Sequence, residues 1–266
     1  MASEPDVPAY RALLGEIQLE MGDYDAAGTT FDALVAAKRQ LAVGPRLARW
    51  AEIRGQPEEA RRILRLAMSD ARARPDLPNE QLAWFYLRVG DLELRHERLR
   101  AAEDAFRGGL EVRPRDERLL GGMAKVAAAR QEWRRVIEYA LRVGDRADIA
   151  LLSLAGDAHA ALGDTVAAER WWRLAEMSGR AQPEPFNRQW TLFRLDHRRQ
   201  LPETLALLRQ EIRVRKDVYG YDQLAWALYL SGEYGEARDA MAQARRMGTR
   251  DRVLLEHAKA IDAKLR

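Results

Sequence analysis

The sequence predicts an all-α fold, a right-handed α-solenoid of about seven helix pairs with a C-terminal capping helix, and three observations carry that reading. The turn residues Gly22, Gly55, Glu97, Gln131, Gly163, Arg199 and Gly232 recur at intervals of 33, 42, 34, 32, 36 and 33 residues. A repeat of roughly 20 to 50 residues marks stacked supersecondary units. Small residues recur in register with those turns: seven positions before them stand Gly15, Ala48, Gly90, Ala124, Gly156, Leu192 and Ala225, and five after them Ala27, Ala60, Ala102, Val136, Ala168, Thr204 and Ala237. Nine positions after stand Phe31, Leu64, Phe106, Ala140, Trp172, Leu208 and Met241, which are mostly bulky. Two helices approach closely only where one offers a small residue and the other a large one to fill the space beside it.

Each unit follows from this register. The segments between turns are rich in Ala, Leu, Arg and Glu, which favour helix, and alternating β-branched stretches are scarce. Extra residues between Pro75 and Pro78 account for the interval of 42 and either lengthen the flanking helices or form a loop. Gly144 shortens the second helix of the unit turning at Gln131. The unit turning at Arg199 fits least well, since Leu192 and Thr204 replace small residues there. The array spans residues 8–249. Residues 250–266 then place Val253, Leu254, Ala258, Ile261 and Leu265 on about one face and read as the helix that closes the stack. Residues 1–7 are expected to be disordered or foreign to the native chain.

The stretches GDYDAA (22–27), GEYGEA (232–237) and ERLRAAEDAFRGGLEVRP (97–114) resemble the turn and second helix of tetratricopeptide repeats, and the resemblance covers nearly the whole chain. Residues 217–237 are also similar to the closing units of a group of bacterial multi-repeat proteins of unassigned biochemical role. The resemblance implies a scaffold or adaptor that holds a protein or peptide on the concave surface lined by its first helices. Some co-chaperones of the family grip a terminal carboxylate with Lys and Asn, but no Asn stands six residues before any turn here, so that clamp does not carry over.

Composition narrows the chemistry. Lys and Arg total 44 against 41 Asp and Glu, and no long run of one sign occurs, which disfavours a nucleic-acid or membrane footprint. With no Cys there is neither a disulfide framework nor a thiolate site. His96, His159, His197 and His257 fall in four different parts of the array without metal-ligand spacing. The pairs Gly108-Gly109 and Gly121-Gly122 belong to no phosphate-binding motif and read as close helix packing. The expectation is therefore no catalysis, no metal, no small-molecule cofactor and no membrane span, in a monomer or weak homo-oligomer. The dominance of Arg over Lys points to a GC-rich bacterial genome. The chain as given reads as cytoplasmic, or exported if an upstream signal has been removed. Two other functions stay open: a regulatory subunit of a larger enzyme complex and an RNA-binding helical repeat.

The groove positions lie 13, 10, 6 and 3 residues before each turn, steps that keep to one helix side. Six before the turns stand Glu16, Arg49, Asp91, Lys125, Asp157, Phe193 and Trp226, so the face begins charged and ends aromatic. Near the carboxyl end the same face adds Phe186, Gln189, Asp196, Tyr219, Asp222 and Tyr229. The predicted peptide-binding groove comprises Asp222, Trp226, Tyr229, Phe193, Gln189, Asp157, Lys125, Asp91 and Arg49. Its centre is expected at Trp226, Tyr229, Asp222 and Phe193, because aromatic side chains give large contact area at low entropic cost.

Overall fold

The computed structural model describes residues 7–38, 40–181 and 187–264. Residues 1–6 of the predicted leader, the groove candidate Phe186 and the last two residues of the predicted cap lie outside them. The described residues form fifteen α-helices and no strand, in two compact units. The first comprises residues 1–77 and 208–266, and the second residues 78–207.

Helices α1 (Pro8–Met21), α2 (Tyr24–Asp32), α3 (Gly44–Ile53) and α4 (Pro57–Arg72) open the chain. Then follow α5 (Asn79–Arg95), α6 (Leu99–Val112), α7 (Glu117–Ala129), α8 (Trp133–Val143), α9 (Ile149–Ala161), α10 (Thr165–Ala181), α11 (Arg188–Asp196) and α12 (Leu201–Glu211). Helices α13 (Val218–Leu230), α14 (Tyr234–Ala244) and α15 (Arg252–Lys264) complete it. Successive helices pack as pairs, α1 with α2, α3 with α4, α5 with α6, α7 with α8, α9 with α10 and α13 with α14, and α15 packs on α13 and α14. The extra residues around Pro75 and Pro78 do both things expected of them. They extend α4 and α5 to 16 and 17 residues and leave a short connection, where the chain passes from one compact unit to the other.

Helix starts have a local cause. Asp116, Asp148, Asn187 and Asp217 accept hydrogen bonds from the first free backbone N–H groups of α7, α9, α11 and α13. The turns have another. Gly22, Gly55, Gly163 and Gly232 lie at φ between 68° and 85°, the left-handed region that ends a helix most cheaply at glycine. Glu97 and Gln131 adopt the same conformation with φ of 58° and 61°. At the sixth turn the residues in that region are Arg198 and Gln200 instead of Arg199, a displacement by one in the unit whose pattern was weakest.

The packing rule holds atom by atom. All seven residues five after the turns, Val136 and Thr204 included, have no exposed surface. A Cβ added to Gly15, Gly90 or Gly156 would fall under 3.0 Å from the ring of Phe31, Phe106 or Trp172 respectively. Glycine seven before the turn thus seats the aromatic ring nine after it. Where Ala48, Ala124 or Ala225 stands instead, the partner position holds Leu64, Ala140 or Met241, so the sizes compensate. Three of the paired glycines in the sequence also serve close packing: an added Cβ would press on Tyr86 at Gly108, on Leu119 at Gly109 and on Phe106 at Gly122. Gly121 does not, since nothing lies within 4 Å of its missing Cβ. Here the expectation of close packing is corrected.

Inside the first unit the amino-terminal pairs meet the carboxyl-terminal ones. The Lys216 N–H donates to the Met21 carbonyl at 3.0 Å, and the Val218 N–H to the Tyr24 hydroxyl at 2.8 Å. Thr249 Oγ1 donates to the Ile53 carbonyl at 2.6 Å in a buried position. Arg215 binds Glu20 at 2.8 Å, and the Arg246 guanidinium lies 4.7 Å from the Tyr24 ring centre. Burial pushes the Tyr24 hydroxyl up to about 12, against the lowering effect of its bond from Val218, so it stays protonated at neutral pH.

Candidate functional site

Four first helices of the second unit, α5, α7, α9 and α11, face a common cavity of about 270 Å³. Leu87, Val143, Leu151 and Leu154 supply its apolar lining, and Asp91, Glu117, Arg118, Lys125, Arg146 and Asp148 its charged groups. Gln189 reaches it from α11 and donates to Asp148 Oδ2 at 3.0 Å. Arg118 is committed to Asp116 at 2.9 Å. Among the described residues Asp91, Lys125 and Arg146 form no ion pair. Groups of both signs left without partners over an apolar floor suit an extended polypeptide, which offers apolar side chains, charges and backbone dipoles together. Gly121 opens onto the same cavity.

Of the nine candidates, Asp91, Lys125 and Gln189 line this cavity. Phe193 does not: it is 2% exposed, in a core cluster with Ile149, Leu152, Ala175 and Trp190. Its ring stacks on Trp190 with centroids 5.5 Å apart, so its place as an exposed anchor is corrected. In the first unit Asp222 is buried and bonded to His257 Nδ1 at 3.0 Å. Trp226 is sandwiched between His257, 4.2 Å away centroid to centroid, and Tyr229 at 4.9 Å. Of the rings expected to await a ligand, Trp226 therefore packs against α15, and Tyr229 lies between Trp226 and the Tyr234 ring of α14, 5.7 Å away. Their spacing by threes and fours is equally that of a helix seam, and the sequence does not tell the two apart. Arg49 donates to Glu52 Oε2 at 2.9 Å and to the Tyr219 hydroxyl at 3.2 Å. Burial works against its charge, and these two partners outweigh burial and raise its pKa.

Asp157 belongs to a half-buried cluster of the second unit. It accepts from Trp172 Nε1 at 3.0 Å and lies 3.4 Å from His197 Nε2, the nitrogen that also meets Ser153 Oγ at 3.0 Å. Serine and carboxylate thus share one imidazole nitrogen. A nucleophilic triad needs them on opposite nitrogens, so that the base can take the hydroxyl proton while the acid holds the ring. This arrangement supplies no relay. Burial, reinforced by the Asp196 charge against the lowering effect of the Trp172 bond, pushes Asp157 up to about 6. Burial and then Arg199 push His197 down to about 4.

The two shifts act on stability with opposite sign. A carboxyl raised from 3.8 holds its proton better in the folded state, so its contribution falls as pH rises between about 4 and 6. An imidazole lowered from 6.5 favours the folded state at higher pH and loses that contribution as pH falls toward 4. Asp157→Asn leaves only the second effect. Its melting temperature relative to the parent protein should climb as pH rises from 4 to 6.5 in a thermal melting series, and a flat difference would show that Asp157 titrates normally.

The comparisons with known proteins agree with this architecture. The family model described as tetratricopeptide repeat matches residues 8–33, 149–173 and 220–243, which fall on the pairs α1 with α2, α9 with α10, and α13 with α14. Three of its helix pairs thus match tetratricopeptide repeats. The crystal structure of a tetratricopeptide repeat protein from Parabacteroides merdae ATCC 43184 superposes with a TM-score of 0.53 at 17% identity, over 98% of this chain and 86% of that one. The crystal structure of MamA protein matches 67% of this chain and 98% of its own, with a TM-score of 0.49 and 16% identity. That of the APC/C hetero-tetramer Cut9-Hcn1 covers 99% of this chain and 57% of its own at 14% identity, TM-score 0.44. No curated protein matches the sequence. Among the described residues, no helix of this repeat protein is long and apolar enough to cross a membrane.

Proposed function

We propose that this repeat protein is a non-catalytic scaffold that holds an extended segment of a partner protein in the cavity of its second unit. The observation that supports this reading most is the convergence of four first helices on one opening whose Asp91, Lys125 and Arg146 have no ion-pair partner among the described residues. An acidic side chain of the partner would meet Lys125 and Arg146, and a basic one Asp91, while apolar side chains rest on Leu151 and Leu154. The ends of the site are set by α5 and α11. Repeat arrays use such extended concave surfaces because adjacent units present the same side chain positions in series.

Gly121→Phe tests the proposal with little risk to the fold. Nothing lies within 4 Å of the added Cβ, and replacing a helical glycine favours the helix by a few tenths of a kcal/mol or more. The variant should melt no lower than the parent protein, yet its ring would occupy the opening. Peptides selected from a displayed random library on the parent protein should bind Gly121→Phe and Lys125→Glu at least about tenfold more weakly, or 1.4 kcal/mol. Selected peptides that bind both variants at full strength would place the binding surface elsewhere.

A further inference from the structure

Helix α10 turns a face to solvent unlike that of the other even-numbered helices. Helices α2, α4, α6, α12 and α14 expose no large apolar side chain, and α8 exposes one, Leu141. On α10 Val166, Leu174 and Met177 are 64%, 47% and 63% exposed, and Leu162 stands exposed just before it. The inner side of the helix is already engaged: Ala168, Ala175 and Gly179 are buried, and Trp172 Nε1 donates to Asp157. Arg170, Arg173 and Arg180 lie on the same outward side. All three are exposed, and none forms an ion pair among the described residues. The carboxylates of the same helix do not offset them, because Arg199 holds both Glu169 at 2.9 Å and Glu176 at 3.0 Å.

The seam beside this face is apolar too. Trp171 of α10 packs on the core cluster of Val136 and Ala140 together with Trp133 and Ile137 of α8. Leu174 follows Trp171 by three residues and Leu141 follows Ile137 by four, so both border the line where α8 and α10 meet. From Val166 to Met177 the face runs about 16 Å, or about three helical turns. Its uncompensated charge is one helix wide. On α6 the exposed Arg100 and Arg107 are matched by Asp104 and Glu111, and on α8 Arg134 and Arg142 are matched by Glu138 and, just beyond the helix, Asp145. An anionic bilayer is recognised by clusters of about four to eight Lys or Arg, whereas a narrow apolar stripe with unmatched cations along it complements a single acidic helix. We propose that α10 and its seam with α8 dock an amphipathic helix of a partner protein, one that carries Asp or Glu beside its apolar stripe. The apolar side chains of that helix rest on Leu141, Val166, Leu174 and Met177, and its carboxylates meet Arg170 and Arg173. This surface shares no residue with the cavity lined by the first helices.

A displayed library of helical peptides, with Leu spaced alternately by three and four residues and all other positions randomised, tests this on the intact protein. Selection on the parent protein, in an excess of the unlabelled Arg170→Glu/Arg173→Glu double variant, should retain helices enriched in Asp and Glu. These should bind the double variant and Met177→Gln at least about tenfold more weakly than the parent and bind Gly121→Phe at full strength. They should regain affinity for the double variant when their own Asp and Glu are changed to Lys. Positions 170, 173 and 177 are exposed, so circular dichroism of the variants should match that of the parent. A library that yields no such helix, retained helices that are indifferent to Met177→Gln or blocked by Gly121→Phe, or a failed charge exchange would each overturn the proposal. So would co-sedimentation of the parent protein with phosphatidylserine vesicles that the double variant loses, which would assign the face to a membrane surface.

Discussion

Gly90→Leu should cost the second unit about 3 kcal/mol or more of stability in urea unfolding, at the upper end of what overpacking a core does. The reason lies in one contact. The backbone at Gly90 comes so near the Phe106 ring that even a Cβ would stand under 3.0 Å from three of its carbons, and Phe106 has no exposed surface through which to retreat. Gly122 closes on the same ring from α7, where an added Cβ would lie 2.6 Å from it. The ring is therefore held from two helices and has nowhere to turn. Gly90→Ala with Phe106→Leu should recover much of the stability that Gly90→Ala loses, because Ala48 with Leu64 already makes that combination one turn earlier in the array. A double variant no more stable than the sum of its parts would show that the two positions are not coupled.

That pairing of sizes is why so much of the fold is legible from the sequence. Each helix pair repeats the same spacing of small and large residues seven before, five after and nine after the turn, least cleanly at Arg199, so weak patterns reinforce one another. The left-handed turn adds a fourth mark, read at once where it is glycine. At Glu97 and Gln131 the same backbone is reached by ordinary residues, and only the period locates them. At the sixth turn, with neither glycine nor a clean period, the reading slips by one residue. The groove is less legible, because helix periodicity says which residues share a face and not whether that face meets solvent, a neighbouring helix or a ligand. Asp91 and Lys125 line a cavity, while Phe193, at the corresponding position, is sealed among Trp190 and Ile149. The meeting of amino- and carboxyl-terminal pairs in the first unit leaves no periodic mark at all, since Tyr24 and Val218 stand 194 residues apart.

That meeting can be tested through the turns it uses. Gly163→Ala is the reference: φ is 85° and nothing lies within 4 Å of the added Cβ, so its loss of about 1 to 2 kcal/mol measures the left-handed backbone alone. Gly55→Ala carries the same backbone cost at φ of 68° and adds a collision, because its Cβ would fall under 3.0 Å from the Gly248 carbonyl. A backbone oxygen cannot swing aside as a side chain tip does. Relief requires the Gly248 segment to move away, which pulls Thr249 Oγ1 from the Ile53 carbonyl and leaves a buried acceptor unpaired, a further cost of about 1 to 3 kcal/mol. Gly22→Ala meets the Lys216 backbone in the same way and should open the bond from the Lys216 N–H to the Met21 carbonyl. The expected order of stability in chemical unfolding is Gly163→Ala well above Gly55→Ala and Gly22→Ala, by about 2 kcal/mol. If all three lose the same amount, the added methyl groups meet nothing, and the two ends of the array do not touch in solution.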